Sequence, residues 1–397
     1  MDLRRLSSVS LGHLVIDILS SSVAMILTAL AVPFALSNSD IGLGVMIYQF
    51  VGSLTQPWFG VLADRLGGRL LGALGLAWTA AFYFAATFAT NYPVLLLLMS
   101  CAALGSAAFH PQGAMVASNA GGSRASSATA IFCLLGQSGM ALGPVLAGVL
   151  LERSGLEGVR VLAGATVPFV FLMAVWLRRP VNLGAPPVDA SRGAPEKRRE
   201  RPPLARSVFV AFVLVVALRA TVQSGYYGLL PKFLADQGYS PSVYGFMVGI
   251  FSIALAVGTL GGGVLGDRYS HRSLLIWASI ISAPFTVWML FSDGLLFAAV
   301  SVIAGLLVGV PHSILVVMAQ NLLPNRQGLA SGSVLGFMFA AGAAGTGLAG
   351  WLADFVGLPL VLLVVALFPL GAGVAAFFLE RDRAPRRLVA SSAAPGD

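Results

Sequence analysis

The stretch Phe109-His110-Pro111-Gln112-Gly113-Ala114-Met115-Val116-Ala117-Ser118-Asn119-Ala120-Gly121-Gly122-Ser123-Arg124 has an echo further along the chain. Its His110, Asn119 and Arg124 return as His312, Asn321 and Arg326, each 202 positions on. The same shift carries Gly143 onto Gly345, Gly148 onto Gly350 and Asp17 onto Arg219. A shift of 203 carries Gly60, Asp64, Arg65 and Arg69 onto Gly263, Asp267, Arg268 and Arg272. A repeat of half the chain length means two units of one fold. It also puts opposite charges, Asp17 and Arg219, at equivalent places in apolar surroundings.

Composition identifies the solvent of that fold. The chain is 57% hydrophobic and 10% charged, with mean hydropathy +0.87, whereas a soluble domain is about 25% charged. A water-soluble globule of 397 residues cannot hide so much apolar side chain. In lipid, a spanning helix needs about 20 mostly apolar residues. Such runs lie at 9–36, 41–63, 70–89, 92–118, 126–150, 158–177, 208–235, 241–265, 273–291, 294–320, 328–353 and 359–379. The expected fold is an all-α membrane protein of twelve transmembrane helices, six in each pseudo-symmetric half. The first run is too long and polar for a cleaved signal peptide and reads as a retained helix.

The expected domains are a six-helix half at 1–177, a basic Pro-rich linker at 178–207, a second half at 208–380 and a disordered tail at 381–397. Lys and Arg accumulate in short cytoplasmic loops. With both termini inside, all of the 24 Lys and Arg except Arg153, Arg160, Arg219 and Lys232 fall on that side. The expected location is therefore the inner (plasma) membrane, with both termini cytoplasmic. The net charge of +8 then reflects contact with anionic membrane lipids, and no nucleic-acid partner is implied. Cys101 and Cys133 have no partner spacing and read as small buried residues. Walker loops, metalloprotease His pairs and nucleophile elbows are missing, so the sequence implies neither an enzyme nor a cofactor, and no metal. A monomer is expected.

The loop Gly60-Val-Leu-Ala-Asp64-Arg65-Leu-Gly67-Gly68-Arg69 resembles the signature between helices two and three of the major facilitator superfamily, with Gly68 at a usually basic position. Gly263, Asp267, Arg268 and Arg272 echo it between helices eight and nine, where Ser270 replaces the loop glycine. A carboxylate off one helix is favoured at the amide-rich start of another. Asp64 is thus expected to face the start of helix eleven near Gly328, forming a latch between the halves with Gly60, Arg65, Arg69, Arg124, Asp267, Arg268 and Arg326. In helix five, Gly139, Gly143, Pro144 and Gly148 resemble the pattern of the superfamily's drug:proton antiporters, with Ala147 replacing one glycine. Small residues at this spacing also serve close helix packing. Within the superfamily, the chain resembles the fosmidomycin-resistance type of efflux protein at His13-Leu-Val-Ile-Asp17, Phe109-His110-Pro111, Gly143-Pro144 and Leu323-Pro324-Asn325-Arg326-Gln327-Gly328. That family leads one to expect Glu after His-Pro; Gln112 here removes any proton-carrying role at that position.

A charge inside a span costs about 2.5–3.5 kcal/mol on insertion scales and is usually paired or set in a watery cavity. Asp17 and Arg219 are the clear cases. Ser10, His13, Asp17, Ser20 and Ser21 form one polar stripe on helix one, and Arg219, Gln223, Tyr226 and Tyr227 form another on helix seven. Repeat-built transporters bind substrate at the midplane between such helices. The expected proton-coupling residues are Asp17, Arg219 and His110. The expected substrate cavity comprises His13, Ser21, Gln49, Gln137, Gln223, Tyr226 and His312. Asp17 and Arg219 admit three readings: a structural ion pair, a proton site tuned by the cation, or an Arg219 grip on an anionic substrate. Aromatics such as Tyr48, Trp58 and Phe337 are expected to pack. The function expected is a proton-coupled transporter exporting small drugs or metabolites by antiport. A symporter for a small organic anion is one alternative, and a membrane sensor or scaffold without transport is another.

Overall fold

The computed structural model describes residues 1–66, 71–177, 206–322 and 327–380, with side chains throughout these except at 63–66, 123, 125–127, 320–322 and 327–332. The first half holds α1 (Leu3–Ser21), α2 (Val23–Ala29), α3 (Asn38–Leu66), α4 (Leu71–Ala86), α5 (Tyr92–Gly121), α6 (Ala125–Ser154), α7 (Leu156–Gly164) and α8 (Val167–Trp176). The second holds α9 (Arg206–Asp236), α10 (Pro241–Gly266), α11 (His271–Leu290), α12 (Gly294–Gly309), α13 (Pro311–Leu322), α14 (Gln327–Val356) and α15 (Leu358–Ala376). The pairs α1/α2, α7/α8 and α12/α13 each run as one segment, which makes six passes per half.

Ten of the segments are long and apolar enough to cross a membrane. The other two are α4, apolar but of 16 residues, and α3, which carries Gln49, Ser53, Thr55 and Gln56 along its length. Helices prevail because every backbone polar group is satisfied within its own segment, a requirement in lipid. Large apolar side chains such as Leu74, Trp78, Phe171, Leu260, Trp277 and Phe355 point outward. In water this would be a liability; against acyl chains it costs nothing.

The core shows how the halves meet. One apolar cluster joins them, with Leu27, Ile41 and Val45 beside Tyr226, Leu230 and Phe251. Toward the end where α1 and α9 begin, the core divides. Leu6, Val9, Phe109 and Phe132 form one body, and Val215, Leu275, Leu315 and Val334 another. Helices of opposite halves approach closely at the joined end. A Cβ at Gly42 would stand 2.9 Å from the Thr346 carbonyl, and one at Gly148 2.3 Å from that of Pro241. At the divided end, a Cβ at Gly52 or Gly336 would meet nothing within 4 Å. Among the described residues the molecule is closed at one end and open at the other, and Leu3, Leu177 and Arg206 all lie at the open end.

Several expected residues fall beyond this description. Arg69, Arg326, positions 178–205 of the expected linker at 178–207 and the tail from Arg381 lie outside the described residues, Arg206 and Ser207 already belong to α9, and Asp64 and Arg65 are described in backbone only. Arg124, Asp267 and Arg268 are exposed where helices turn, and Asp267 ends α10.

Candidate proton and substrate site

The polar stripe of helix one is placed by glycines on another helix. A Cβ at Gly136 would stand 2.3 Å from the His13 ring, at Gly139 2.2 Å from the Leu14 carbonyl, and at Gly143 1.9 Å from Ser21 Oγ. Stripped of side chains at these points, α6 lets the backbone of α1 approach closely. Gly148, the last glycine of the series, faces the other half. Pro144 also meets that half, its carbonyl 2.3 Å from where a Cβ on Gly245 would be. The small residues of this helix therefore form two packing seams, one of which seats His13 and Asp17.

His13 and Asp17 stand one turn apart on α1, and α5 contributes His110 from across the half. The Asp17 carboxylate lies between the two rings, with Oδ2 3.2 Å from His13 Nε2 and Oδ1 3.2 Å from His110 Nε2. Each ring is fixed from behind. His13 Nδ1 lies 2.8 Å from the Phe132 carbonyl, and His110 Nδ1 lies 2.7 Å from that of Ser106. His13 also stacks on Phe132 at 4.0 Å between centroids and meets His110 edge-on at 5.0 Å.

These contacts dictate where protons sit. A carbonyl only accepts, so each Nδ1 must carry hydrogen. A neutral ring then presents a bare lone pair at Nε2. Facing a carboxylate oxygen, that lone pair repels unless a proton occupies the gap. Two such gaps share one carboxylate, so the cluster can hold one proton or two, and each added proton turns a repulsion into a charge-assisted hydrogen bond. The side chains of His13 and Asp17 are each 10% exposed and that of His110 is 25% exposed, making His110 the more accessible of the two rings.

The donor atoms of His13, Asp17 and His110 all lie within 4.8 Å of one another, so the set that could hold a metal ion is this same one. The sequence groups His110 with Asp17 as a coupling residue and places His13 on the Asp17 stripe; the direct contact across 93 residues is supplied by the fold.

The second half is built differently. Arg219, equivalent to Asp17, is 4% exposed. Its Nε reaches the Val308 carbonyl at 3.5 Å, and its buried Nη2 has no partner. Among the described residues no carboxylate lies within 4.0 Å of it, so the structural ion pair with Asp17, one of the three readings above, is not what this arrangement contains. The two histidines occupy the carboxylate instead. His312 is half-buried, close enough to Arg219 to feel its charge, and its buried Nδ1 also lacks a partner. A cavity of about 10 Å³ lies beside Arg219, lined also by Ser279, Ser282 and Pro311.

The other expected cavity residues divide. Gln223 is half-buried and Gln137 exposed. Gln49 accepts a hydrogen bond from Ser224 at 3.0 Å across the halves. Ser21 donates to the Asp17 carbonyl at 2.7 Å, which spends its hydroxyl on the backbone. Tyr226 is a correction: it is 0% exposed, its hydroxyl donates to the Thr286 carbonyl at 3.2 Å, and its ring meets Phe251 edge-on. A helical stripe cannot distinguish a cavity wall from a buried face. Cys133 is likewise exposed, not buried, and Cys101 half-buried. Trp58, expected to pack, is 77% exposed.

Tyr48, expected only to pack, donates to Ser20 at 2.9 Å, and Ser20 neighbours Ser106, whose carbonyl holds His110. No sequence pattern marks the Ser106 and Phe132 carbonyls that hold the two rings, because a carbonyl is independent of side-chain identity. Gln112 is buried against Gly72, where a Cβ would stand 1.9 Å from its Oε1.

Comparison with known proteins agrees with this architecture. The family model described as Major Facilitator Superfamily matches residues 9–240 and 212–395. The chain belongs to the major facilitator superfamily. It is 30% identical to the fosmidomycin resistance protein of Escherichia coli (strain K12), over 95% of this chain and 93% of that one. It is 28% identical to the multidrug efflux pump Tap of Mycolicibacterium fortuitum, over 82% and 83% of the two chains. The solved structure of a bacterial homolog to the human lysosomal transporter Spinster, in an inward-facing and occupied conformation, matches with a TM-score of 0.79 at 15% identity, covering 94% and 95% of the chains. As a member of this superfamily the protein is a multi-pass membrane transporter for small molecules.

Proposed function

We propose that the protein exports small drugs or metabolites in exchange for protons by alternating access. One observation carries this reading: Asp17 lies buried between two imidazoles whose outer nitrogens are committed to carbonyls, an arrangement whose contacts are satisfied only by bound protons. His13, Asp17 and His110 are the proton-binding residues. Loading and unloading follow from which end of the molecule is open, with His110 the more accessible of the two rings. The positive-inside rule places the open end, where the described chain begins, in the cytoplasm of a cell whose inner membrane it spans. The conformation is then inward-open. Both parts of the site come from one chain, which suits a monomer. One proton moving down 100 mV supplies about 2.3 kcal/mol, enough for a gradient of about fiftyfold in a neutral substrate.

The test uses everted vesicles with the proton gradient inward-acidic. Substrate-induced proton release that is present in the wild type and lost in Asp17→Asn supports antiport. Equal proton release from both would rule out the His13–Asp17–His110 cluster as the carrier.

A second reading has its own support. Arg219 is a buried guanidinium with no carboxylate within 4.0 Å among the described residues, and such a charge in a low-dielectric interior calls for an anion. The substrate would then carry a carboxylate or phosphonate that Arg219 and His312 hold. Proton symport of a small organic anion remains compatible with the same residues, and direction of transport in the vesicles distinguishes the two.

A further inference from the structure

At the closed end two carboxylates cross from one half to the other. Asp354, at the end of α14, accepts from the backbone N–H groups of Asn38 at 2.9 Å and Ser39 at 3.0 Å, in the first turn of α3. Glu152, at the end of α6, accepts from Ser240 Oγ at 2.7 Å and from Ser242 N–H at 2.8 Å, in the first turn of α10. The shift of 202 that relates the two halves carries Glu152 onto Asp354, Gly148 onto Gly350 and Asn38 onto Ser240. The two contacts are one device, present twice.

A helix leaves its first four N–H groups without partners inside the helix. In α3 the account closes: Ser37 N–H goes to Asp40 Oδ2, Asp40 N–H to Ser37 Oγ, and Asn38 and Ser39 N–H to Asp354. Half of that cap is therefore supplied by the opposite half of the molecule. In α10, Pro241 has no N–H to satisfy, Tyr244 N–H goes to the Ser240 carbonyl, and Ser242 N–H goes to Glu152. The glycines behind each carboxylate make the reach possible. A Cβ at Gly350 would stand 2.5 Å from the Asn38 carbonyl, and one at Gly148 2.3 Å from the Pro241 carbonyl.

We infer that Glu152 and Asp354 are paired clamps that hold this end of the molecule shut, and that both must release each time it opens. Each places a negative charge at the positive end of a helix dipole belonging to the other half. Separation of the halves removes charge and dipole from one another at two points related by the pseudo-two-fold axis. The inference requires only that the closed end opens during transport, and it holds whichever ion or substrate is coupled.

The experiment measures the distance between the halves directly. Val32 and Leu295 are 90% and 87% exposed at the closed end, one in each half. Val32→Cys and Leu295→Cys carry spin labels in a background with Cys101→Ala and Cys133→Ala. Glu152→Gln and Asp354→Asn change charge while keeping shape, and are compared singly and together with the unmodified pair in reconstituted membranes without substrate. The expected result is a growing long-distance population, by about fivefold for each variant and about twenty-five-fold for both, since separate sites add. Glu152→Asp, which keeps the charge, should remain near the starting distribution. An unchanged distribution in the double variant, with thermal unfolding like that of the parent, would overturn the inference. So would an equal shift in Glu152→Asp and Glu152→Gln, since that would make geometry, not charge, the cause.

Discussion

At Asp17, a single carboxylate serves two imidazoles, and the arrangement is only as useful as the fixing of each ring. Asp17→Asn replaces one acceptor oxygen by an NH₂ group that can donate to a bare Nε2, and leaves a neutral amide oxygen at the other ring, so no carboxylate charge remains to hold a proton at either gap. Proton-driven accumulation should fall to the level of empty vesicles, while expression and thermal unfolding stay close to wild type; wild-type accumulation would exclude the residue as carrier. The Ser106 carbonyl that holds His110 Nδ1 is beyond mutation, but the ring is not. His110→Gln leaves His13 as the one imidazole on Asp17, and should halve the protons released per substrate, read as the stoichiometry of pH change against substrate moved. Arg219 tests the other half. Asp17 is occupied by histidines and Arg219 has no carboxylate, so Arg219→Ala should leave the pH profile of transport alone. For an anionic substrate it should weaken apparent affinity by about tenfold, the size of a charged hydrogen bond. A shifted pH profile with unchanged affinity would reinstate direct coupling between the two charges.

At the level of elements, α6 is sensitive to a single methyl group. Gly139→Ala would put a Cβ 2.2 Å from a backbone carbonyl of α1, and backbone cannot yield as a side-chain tip does. The expected loss is about 1–3 kcal/mol, with loss of proton binding as α1 is displaced. Gly52→Ala in α3 meets nothing within 4 Å and should be neutral or stabilising by about 0.4–1 kcal/mol, because it lowers the freedom of the unfolded chain. Thermal unfolding in detergent checks both, and similar effects at the two sites would show that helix propensity, not contact with α1, controls α6.

For the whole molecule, transport depends on two ends that cannot both be shut. Glu152 and Asp354 hold one end through the helix starts of α3 and α10. The Asp64 loop, proposed from sequence as a latch on the other end, would act in the opposite direction. Asp64→Ala should therefore enlarge the population seen here, closed where Glu152 lies, and Glu152→Gln with Asp354→Asn should deplete it. Combining all three should return the distance distribution toward wild type, as expected for independent terms on one two-state equilibrium. A triple variant that behaves like the double would remove Asp64 from the balance.

The amino-acid sequence by itself determined the solvent, the number of passes, the duplication and the pair of intramembrane charges, because each of these is a local property. Apolar run length, Lys and Arg placement and a shift of 202 need no knowledge of which helix touches which. The same shift also contained the clamps, since Glu152 and Asp354 obey it, although carboxylates at helix ends read as ordinary surface residues until their partners are known. Only the tertiary structure decided that Asp17 faces two histidines and not Arg219, that Tyr226 is core, and that His110 is held by Ser106. Helical periodicity gives a residue's direction about its own axis but not what stands opposite, and a carbonyl that fixes a ring leaves no trace in side-chain identity. The glycines of α6 join the two levels: their spacing is visible in the sequence, but the polar stripe they admit is set by how closely α1 and α6 approach.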